Sequence, residues 1–343
     1  MSRGGAHFSS EELAGVLGHY EIGVIQKVTP LSGGNRAAPK MVVLSTEGKF
    51  LLKRRPKGKD DFYRVAFAHA VQTHLAQRYF PVASLVATFD ELHTILQLKD
   101  HIYELFKFVG GHRYDGSAEA TVDTGRQLAK FHQYLTNFAF QWKPLRSSFH
   151  DSTMVRSHLK AVGADKMAGQ DKTLQATAEA LMTLYNRCSI RINELGFDSW
   201  QQQVVHGDWH PGNMLFLKNK LSAVFDFDSV KIAPAVTDLA NAMLQFSIVG
   251  DRPNPADWPD YLDQAKLIQL LNGYREVIKL EPNELNSLLD LMIETMIAEA
   301  VLPIATTGFF GNLSGTDFLQ MIRRKAEWID KNRRKLSQAM DHS

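Results

Sequence analysis

The sequence predicts an α+β protein of two lobes, a small β-rich one followed by a larger, mainly helical one. Three observations predict it. The chain has 343 residues, more than one hydrophobic core usually organises. Short β-branched and aromatic runs separated by turns fill the first third, and apolar residues at helical spacing dominate from Val122 onward. The pattern changes after Gly110-Gly111, so the expected lobes are residues 1–110 and 111–343.

In the first lobe, Ser9 or Ser10 caps a helix reaching His19, with Glu11 and Glu12 suited to its positive N-terminal end. Residues 22–28, 41–45 and 50–53 read as strands, separated by Leu31-Ser32-Gly33-Gly34-Asn35-Arg36 and by the turn Thr46-Glu47-Gly48-Lys49. A helix is expected over residues 61–79, with Val65, Ala68, Val71, Leu75 and Ala76 on one face. Further strands are expected at residues 82–89, 94–98 and 102–108. In the second lobe, helical periodicity covers residues 122–138, 152–167 and 174–195. Two short strands interrupt it, and helices return at residues 236–246, 261–278, 283–301 and 317–339. Asp251-Arg252-Pro253-Asn254-Pro255 reads as a connector.

Composition excludes several classes. The 39 basic and 37 acidic residues leave a net charge of +2, which argues against nucleic acid as a partner. The basic run Lys53-Arg54-Arg55-Pro56-Lys57-Gly58-Lys59 is either a solvated surface or an attractor of phosphate. The single cysteine, Cys188, rules out an internal disulfide and reads as a packing residue. No run is apolar and long enough to span a membrane, and no leader is recognisable, so a cytoplasmic protein is expected.

The chemistry concentrates in Val204-Val205-His206-Gly207-Asp208-Trp209-His210-Pro211-Gly212-Asn213 and in Val224-Phe225-Asp226-Phe227-Asp228. Phosphoryl transfer needs such a set: a carboxylate to orient the attacking hydroxyl, and oxygen ligands to hold the Mg²⁺ that neutralises nucleotide phosphates. Asp208 is the candidate base, and Asn213 and Asp226 are the candidate metal ligands. Asp228 either touches a second metal or caps the following turn. His206-x-Asp208-x-His210 admits a transition-metal reading, although that would leave Asn213 without a task. His206 is grouped with Asp208 as a catalytic candidate that packs behind the loop, while Trp209 and His210 either line an acceptor pocket or are structural.

These segments resemble the aminoglycoside phosphotransferase and choline kinase-like family, relatives of the protein kinases. The matching residues are His206-Gly207-Asp208-Trp209-His210-Pro211-Gly212-Asn213, Phe225-Asp226-Phe227-Asp228, Asp238-Leu239-Ala240 and the helix Gly125-Arg126-Gln127-Leu128-Ala129-Lys130-Phe131-His132. The resemblance implies a protein-kinase-like two-lobed fold that binds ATP, or GTP, with Mg²⁺ and phosphorylates a hydroxyl of a small metabolite or aminoglycoside-like acceptor. It implies a phosphate loop at Ser32, Gly33, Gly34 and Asn35, a phosphate-binding Lys53, and a hinge at residues 104–109 for which no side-chain role is assigned.

One departure stands out. The family's helix Glu that pairs with the strand Lys is replaced here by Ala near Ala68. Either another acid holds Lys53 or phosphate alone positions it, and the second case favours a weakly active or non-catalytic nucleotide-binding protein. For the acceptor, Glu294 and Glu299 interrupt an apolar helical run. They lie at its solvent edge, or one of them meets a cationic substrate. Phe309-Phe310-Gly311 and Trp258 offer aromatic surface to a cation or to the core.

Overall fold

The structure, a computed structural model, describes residues 7–31, 38–140, 144, 146–164, 172–250 and 252–341. The expected phosphate loop at Ser32, Gly33, Gly34 and Asn35 lies outside the described residues. Two compact units organise the chain. Met1–Arg113, Asn137–Pro144 and Asn213–Val230 make the first, and Tyr114–Thr136, Leu145–Gly212 and Lys231–Ser343 make the second. The hairpin carrying Asn213 and Asp226 thus belongs to the first unit, far from that unit's other strands in sequence.

The first unit starts with α1 (Ser10–Leu17), closed by a capping box in which Ser9 and Glu12 satisfy each other's backbone N–H groups. Strands β1 (Ile25–Pro30), β2 (Lys40–Ser45), β3 (Gly48–Arg54) and β6 (His101–Lys107) form an antiparallel run. On the far edge of β6 pair two short strands, β4 (Leu85–Val86) and β5 (Leu96–Leu98). The strand expected over residues 82–89 shrinks to β4 because Val82 makes a parallel bridge to Val224 instead. Phe50 and Leu52 of β3 and Tyr103 and Leu105 of β6 bury one sheet face with Val16, Leu17 and Val43. Strand alternation therefore turns Lys53 and Glu104 to the opposite face, and the register sets these two side by side. Helix α2 (Phe62–Ala76) is N-capped by Asp61. Strands β8 (Met214–Leu217) and β9 (Lys220–Val224) complete the unit as a hairpin.

In the second unit, α3 (Ala118–Leu135) packs on a later helix, Gln264–Arg275, backbone against backbone. Gly125 and Gly273 make this approach possible, since a Cβ on either would overlap a carbonyl of the partner helix, at Leu270 and Val122 respectively. Helices α4 (Thr153–Gly163) and α5 (Lys172–Glu194) pack together and on the long helix Pro282–Thr307. A two-stranded antiparallel ladder, β7 (Gln202–Val205) with β10 (Lys231–Pro234), leads directly into α6 (Ala235–Ser247). With the helix Gln264–Arg275 as α7, Pro282–Thr307 is α8. It runs past the expected end at residue 301 and stops at Gly308, whose φ of 79° suits glycine. The single helix expected over residues 317–339 is two, α9 (Gly315–Lys331) and α10 (Arg333–Asp341), interrupted at Asn332.

Candidate active site

The first unit contributes a cluster of charge around Glu104, which is 1% exposed. Lys53 Nζ stands 3.5 Å from its Oε2, and Arg55 reaches its Oε1 at 3.1 Å. His69, one residue after Ala68 on α2, faces Oε1 with Nε2 at 2.7 Å and Thr94 Oγ1 with Nδ1 at 2.8 Å. A carboxylate only accepts, so Nε2 carries a proton toward Glu104. Burial alone would raise the Glu104 pKa, but Lys53, the His69 hydrogen bond and Arg55 hold it well below the usual carboxylate range. Glu104 is thus an ionised, buried counter-ion, and the acid that meets Lys53 comes from the neighbouring strand rather than from the helix. This residue lay in the expected hinge, without a side-chain role. Its signal in the sequence is a lone acid inside the apolar strand Ile102-Tyr103-Glu104-Leu105-Phe106.

Asp228 sits at the same cluster. Arg55 donates to its Oδ1 at 2.7 Å, Lys59 lies 3.6 Å from Oδ2, and Lys53 lies 3.9 Å from Oδ1. Burial pushes its pKa up, yet Lys53 and Arg55 bring it below the ordinary value. The basic run singled out in the sequence is therefore not simply a solvated surface, since Arg55 is 5% exposed. Asn213 and Asp226 flank one end of the β8–β9 hairpin, where the Phe225 N–H donates to the Asn213 carbonyl at 2.9 Å. Asp226 has φ 60° and ψ 66°, a left-handed conformation that costs a non-glycine residue about 1 kcal/mol or more. An amide oxygen and a carboxylate on adjoining backbone are hard donors that fit Mg²⁺.

The second unit contributes the loop after β7. Asp238 of α6, 2% exposed, accepts the N–H of His206 at 2.7 Å and that of Gly207 at 2.8 Å. His132 of α3 donates to it through Nε2 at 3.3 Å, and His132 Nδ1 is hydrogen-bonded to the Tyr274 hydroxyl at 2.9 Å. Burial would raise the Asp238 pKa; His132 and the loop N–H groups bring it down. Gly207 has φ 76°, and this left-handed turn, anchored from below by Asp238, leads into Asp208. Asp208 is about one-third exposed and has His210 Nε2 at 3.6 Å from Oδ2. His210 Nδ1 accepts from the Gly212 N–H at 2.9 Å, which fixes the ring with its Nε2 proton toward Asp208.

His206, grouped with Asp208 in the sequence reading, is fully buried, its ring edge-on to Phe131 and Trp209 at 5.9 and 5.5 Å. It touches the inner side of the loop. Trp209 is fully buried as well, so it supports the loop and lines no acceptor pocket. Among the described residues no group of three His, Cys, Asp or Glu side chains is arranged to hold a metal ion, which leaves the transition-metal reading without a ligand set. None of the described helices is long and apolar enough to cross a bilayer.

Neither acid of the apolar helix α8 lies at a bare solvent edge. Glu294 is fully buried, accepting from Ser189 Oγ at 2.6 Å and paired with His150 Nδ1 at 2.9 Å. Glu299 is half-buried, accepting from Asn241 and Gln245 amides at 2.7 Å each. Its pKa is raised to about 7 by burial and by the charge of Asp208. Lys231 of β10 faces the same group of charges: burial lowers its pKa, while Asp238, Glu299 and Asp208 oppose that. The aromatic residues fill packing space, Phe310 stacked on Phe318 at 3.9 Å and Trp258 edge-on to it at 6.2 Å.

The profile of the phosphotransferase enzyme family matches residues 27–278. The chain belongs to this family. No curated protein matches it, but solved structures share its fold. An aminoglycoside phosphotransferase from Alicyclobacillus acidocaldarius is 17% identical with a TM-score of 0.70, covering 100% of this chain and 99% of that one. The amicoumacin kinase hAmiN, in complex with AMP-PNP, Ca²⁺ and Ami, is 14% identical with a TM-score of 0.68 and 94% of each chain covered. A choline kinase from Cryptosporidium parvum is 13% identical with a TM-score of 0.59, covering 96% of each. The chain is a phosphotransferase of the kinase-like fold. Asp238 and His132, which the sequence singled out as motif residues without giving them a task, meet beneath the loop that precedes Asp208.

Proposed function

We propose that this phosphotransferase uses ATP and Mg²⁺ to phosphorylate a hydroxyl group of a small molecule, with Asp208 as the base. One observation carries the reading: Lys53 has its acid. The Ala at position 68 was the only feature that favoured a degenerate, non-catalytic protein, and the ion pair of Lys53 with Glu104 across β3 and β6 removes that ground. Lys53 stands ready for nucleotide phosphate, and Ser32-Gly33-Gly34-Asn35 is kept as the proposed phosphate loop on the sequence resemblance alone. Asn213 and Asp226 would hold Mg²⁺, with Asp228 at the edge of that set. When bound, the ion neutralises phosphate charge and polarises the transferring group. Kinase-fold neighbours have been solved with AMP-PNP and with ADP, which supports a nucleotide as donor.

In the proposed reaction the acceptor hydroxyl donates a hydrogen bond to an Asp208 carboxylate oxygen. As its oxygen bonds to the γ-phosphorus and the bond to ADP breaks, the proton passes to Asp208. Asp238 contributes by fixing the two N–H groups just before Asp208, and His210 by holding a proton toward it. His206 supports the loop from within. The test is Mg²⁺-dependent ADP release across a panel of hydroxyl-bearing metabolites. Asp208→Ala is expected to lower kcat by about 10²- to 10⁴-fold, and a panel in which no acceptor separates wild type from this variant would sink the proposal.

A further inference from the structure

Helix α2 has no acid anywhere along Phe62–Ala76, yet it is not cut off from Lys53. The link is His69. Its ring is 3% exposed and commits both nitrogens outside the helix, Nε2 to Glu104 Oε1 at 2.7 Å and Nδ1 to Thr94 Oγ1 at 2.8 Å. Thr94 just precedes β5, and Glu104 belongs to β6, the strand with which β5 pairs. One imidazole thus ties α2 to the sheet at two points. A side chain kept only for packing needs neither bond, and an apolar one avoids the cost of burying two ring nitrogens.

The contacts of Glu104 divide between its oxygens. His69 and Arg55 both face Oε1, at 2.7 and 3.1 Å. Oε2 has no hydrogen bond among the described residues and has Lys53 Nζ at 3.5 Å. A carboxylate turns as a plane about one soft torsion, so holding one oxygen aims the other. Lys53 also has a second acid within reach, since Asp228 Oδ1 lies 3.9 Å from its ammonium. Arg55 does not choose between these acids, because it bonds Asp228 at 2.7 Å as well as facing Glu104. His69 meets Glu104 and, among the described residues, does not meet Asp228. It is the group that favours Glu104 as the acid of Lys53.

We propose that His69 is a positioning residue for the nucleotide, doing from α2 by way of Glu104 what an acid on that helix would do directly. His69 fixes Oε1, Oε2 aims the Lys53 ammonium, and Lys53 meets phosphate. This role rests on Lys53 as the phosphate-binding lysine of the proposed kinase. An α2 that shifts away from β6 withdraws the ring and lets Lys53 turn to Asp228.

The experiment separates the bond from the packing. His69→Gln keeps an N–H donor at about the reach of Nε2, His69→Asn keeps a polar group too short for Glu104, and His69→Leu keeps only bulk. Affinity for AMP-PNP with Mg²⁺ is read by titration calorimetry on the full chain, with circular dichroism to check the fold. His69→Asn and His69→Leu are each expected to weaken binding about tenfold, while His69→Gln stays within about threefold of wild type. Added to Glu104→Gln, His69→Leu is expected to cost less than about threefold more, because the charge it positions is already gone. Wild-type affinity in folded His69→Leu, equal losses in the Gln and Asn variants, or a loss that adds fully to that of Glu104→Gln would each overturn the role. So would a chain that fails to fold with both His69→Asn and His69→Leu, since His69 would then serve the fold. Wild type that binds no nucleotide overturns the kinase reading together with this role, whereas nucleotide binding indifferent to residue 69 overturns this role and leaves the kinase reading standing.

Discussion

The two units each place an ionised carboxylate in the interior, and they hold it by different means. Glu104 is held by side chains: Lys53, Arg55 and His69 approach it from one strand and one helix. Asp238 is held chiefly by backbone, the N–H groups of His206 and Gly207, with His132 behind. The difference matters for how far each device can move. A side-chain counter-ion can be supplied from any element whose Cβ faces the right way, so a strand can replace a helix as its source. A carboxylate that receives two consecutive backbone N–H groups must stand where the loop turns, and its position in the chain is fixed by that turn. The first device is interchangeable and the second is not.

The comparison breaks most sharply at Asp238. Asp238→Ala leaves two buried N–H groups and His132 without an acceptor, and removing one partner of a buried charged network costs about 3–5 kcal/mol. Urea unfolding is expected to show a loss of that size, with kcat reduced even where the fold survives. Asp238→Asn keeps one acceptor oxygen and is expected to fall between. A variant as stable and as active as wild type would mean that the loop is held by something other than Asp238.

At Glu104 the expected loss is smaller and of another kind. Glu104→Gln keeps an acceptor for His69 but removes the charge facing Lys53 and Arg55. Nucleotide affinity, measured by fluorescence titration with a labelled ATP analogue, is expected to fall about tenfold, or about 1.4 kcal/mol. Because the device is interchangeable, restoring an acid on the helix in Ala68→Glu/Glu104→Gln is expected to recover part of the loss. Equal affinity of Glu104→Gln and wild type would show that phosphate positions Lys53 unaided.

The same contrast explains what the sequence disclosed. The Asp238-Leu239-Ala240 and Gly125-to-His132 segments were recognisable because backbone anchoring and helix contact fix their spacing. Gly125 faces Gly273 across a helix pair too close for any Cβ, a constraint that one dimension can display. The β-rich N-terminal region, the mostly helical C-terminal region and most of their elements were legible from periodicity. The hairpin at Asn213–Val230 was read as part of the helical region, and its membership in the first unit depends on strand pairing at long range. Glu104 was missed for a related reason. Its meaning lies in the register Lys53↔Glu104, and register is a property of the pair of strands β3 and β6, separated by 46 residues between Arg54 and His101, rather than of either strand alone. Lys231 was invisible because its neighbours Asn241, Glu299 and Phe149 come from three separate segments.

A third acid, half-buried, extends the comparison, and it has the fewest cationic neighbours. Glu299 accepts two amide hydrogen bonds, but no cation lies within 4.0 Å of it among the described residues, and its pKa rises from 4.5 to about 7. Burial is the main cause, Asp208 adds repulsion, and Lys231 offsets only part. The folded protein therefore keeps a proton on Glu299 that the unfolded chain has already lost. Its contribution to stability is present below about pH 4.5 and is lost as the pH rises through about 7. Comparing wild type with Glu299→Gln between pH 5 and pH 8 isolates this contribution: the stability difference should move in favour of the variant as the pH rises toward about 7. A stability difference that stays constant between pH 5 and pH 8 would mean that the fold does not hold the proton on Glu299, and that the contrast with Glu104 ends at burial.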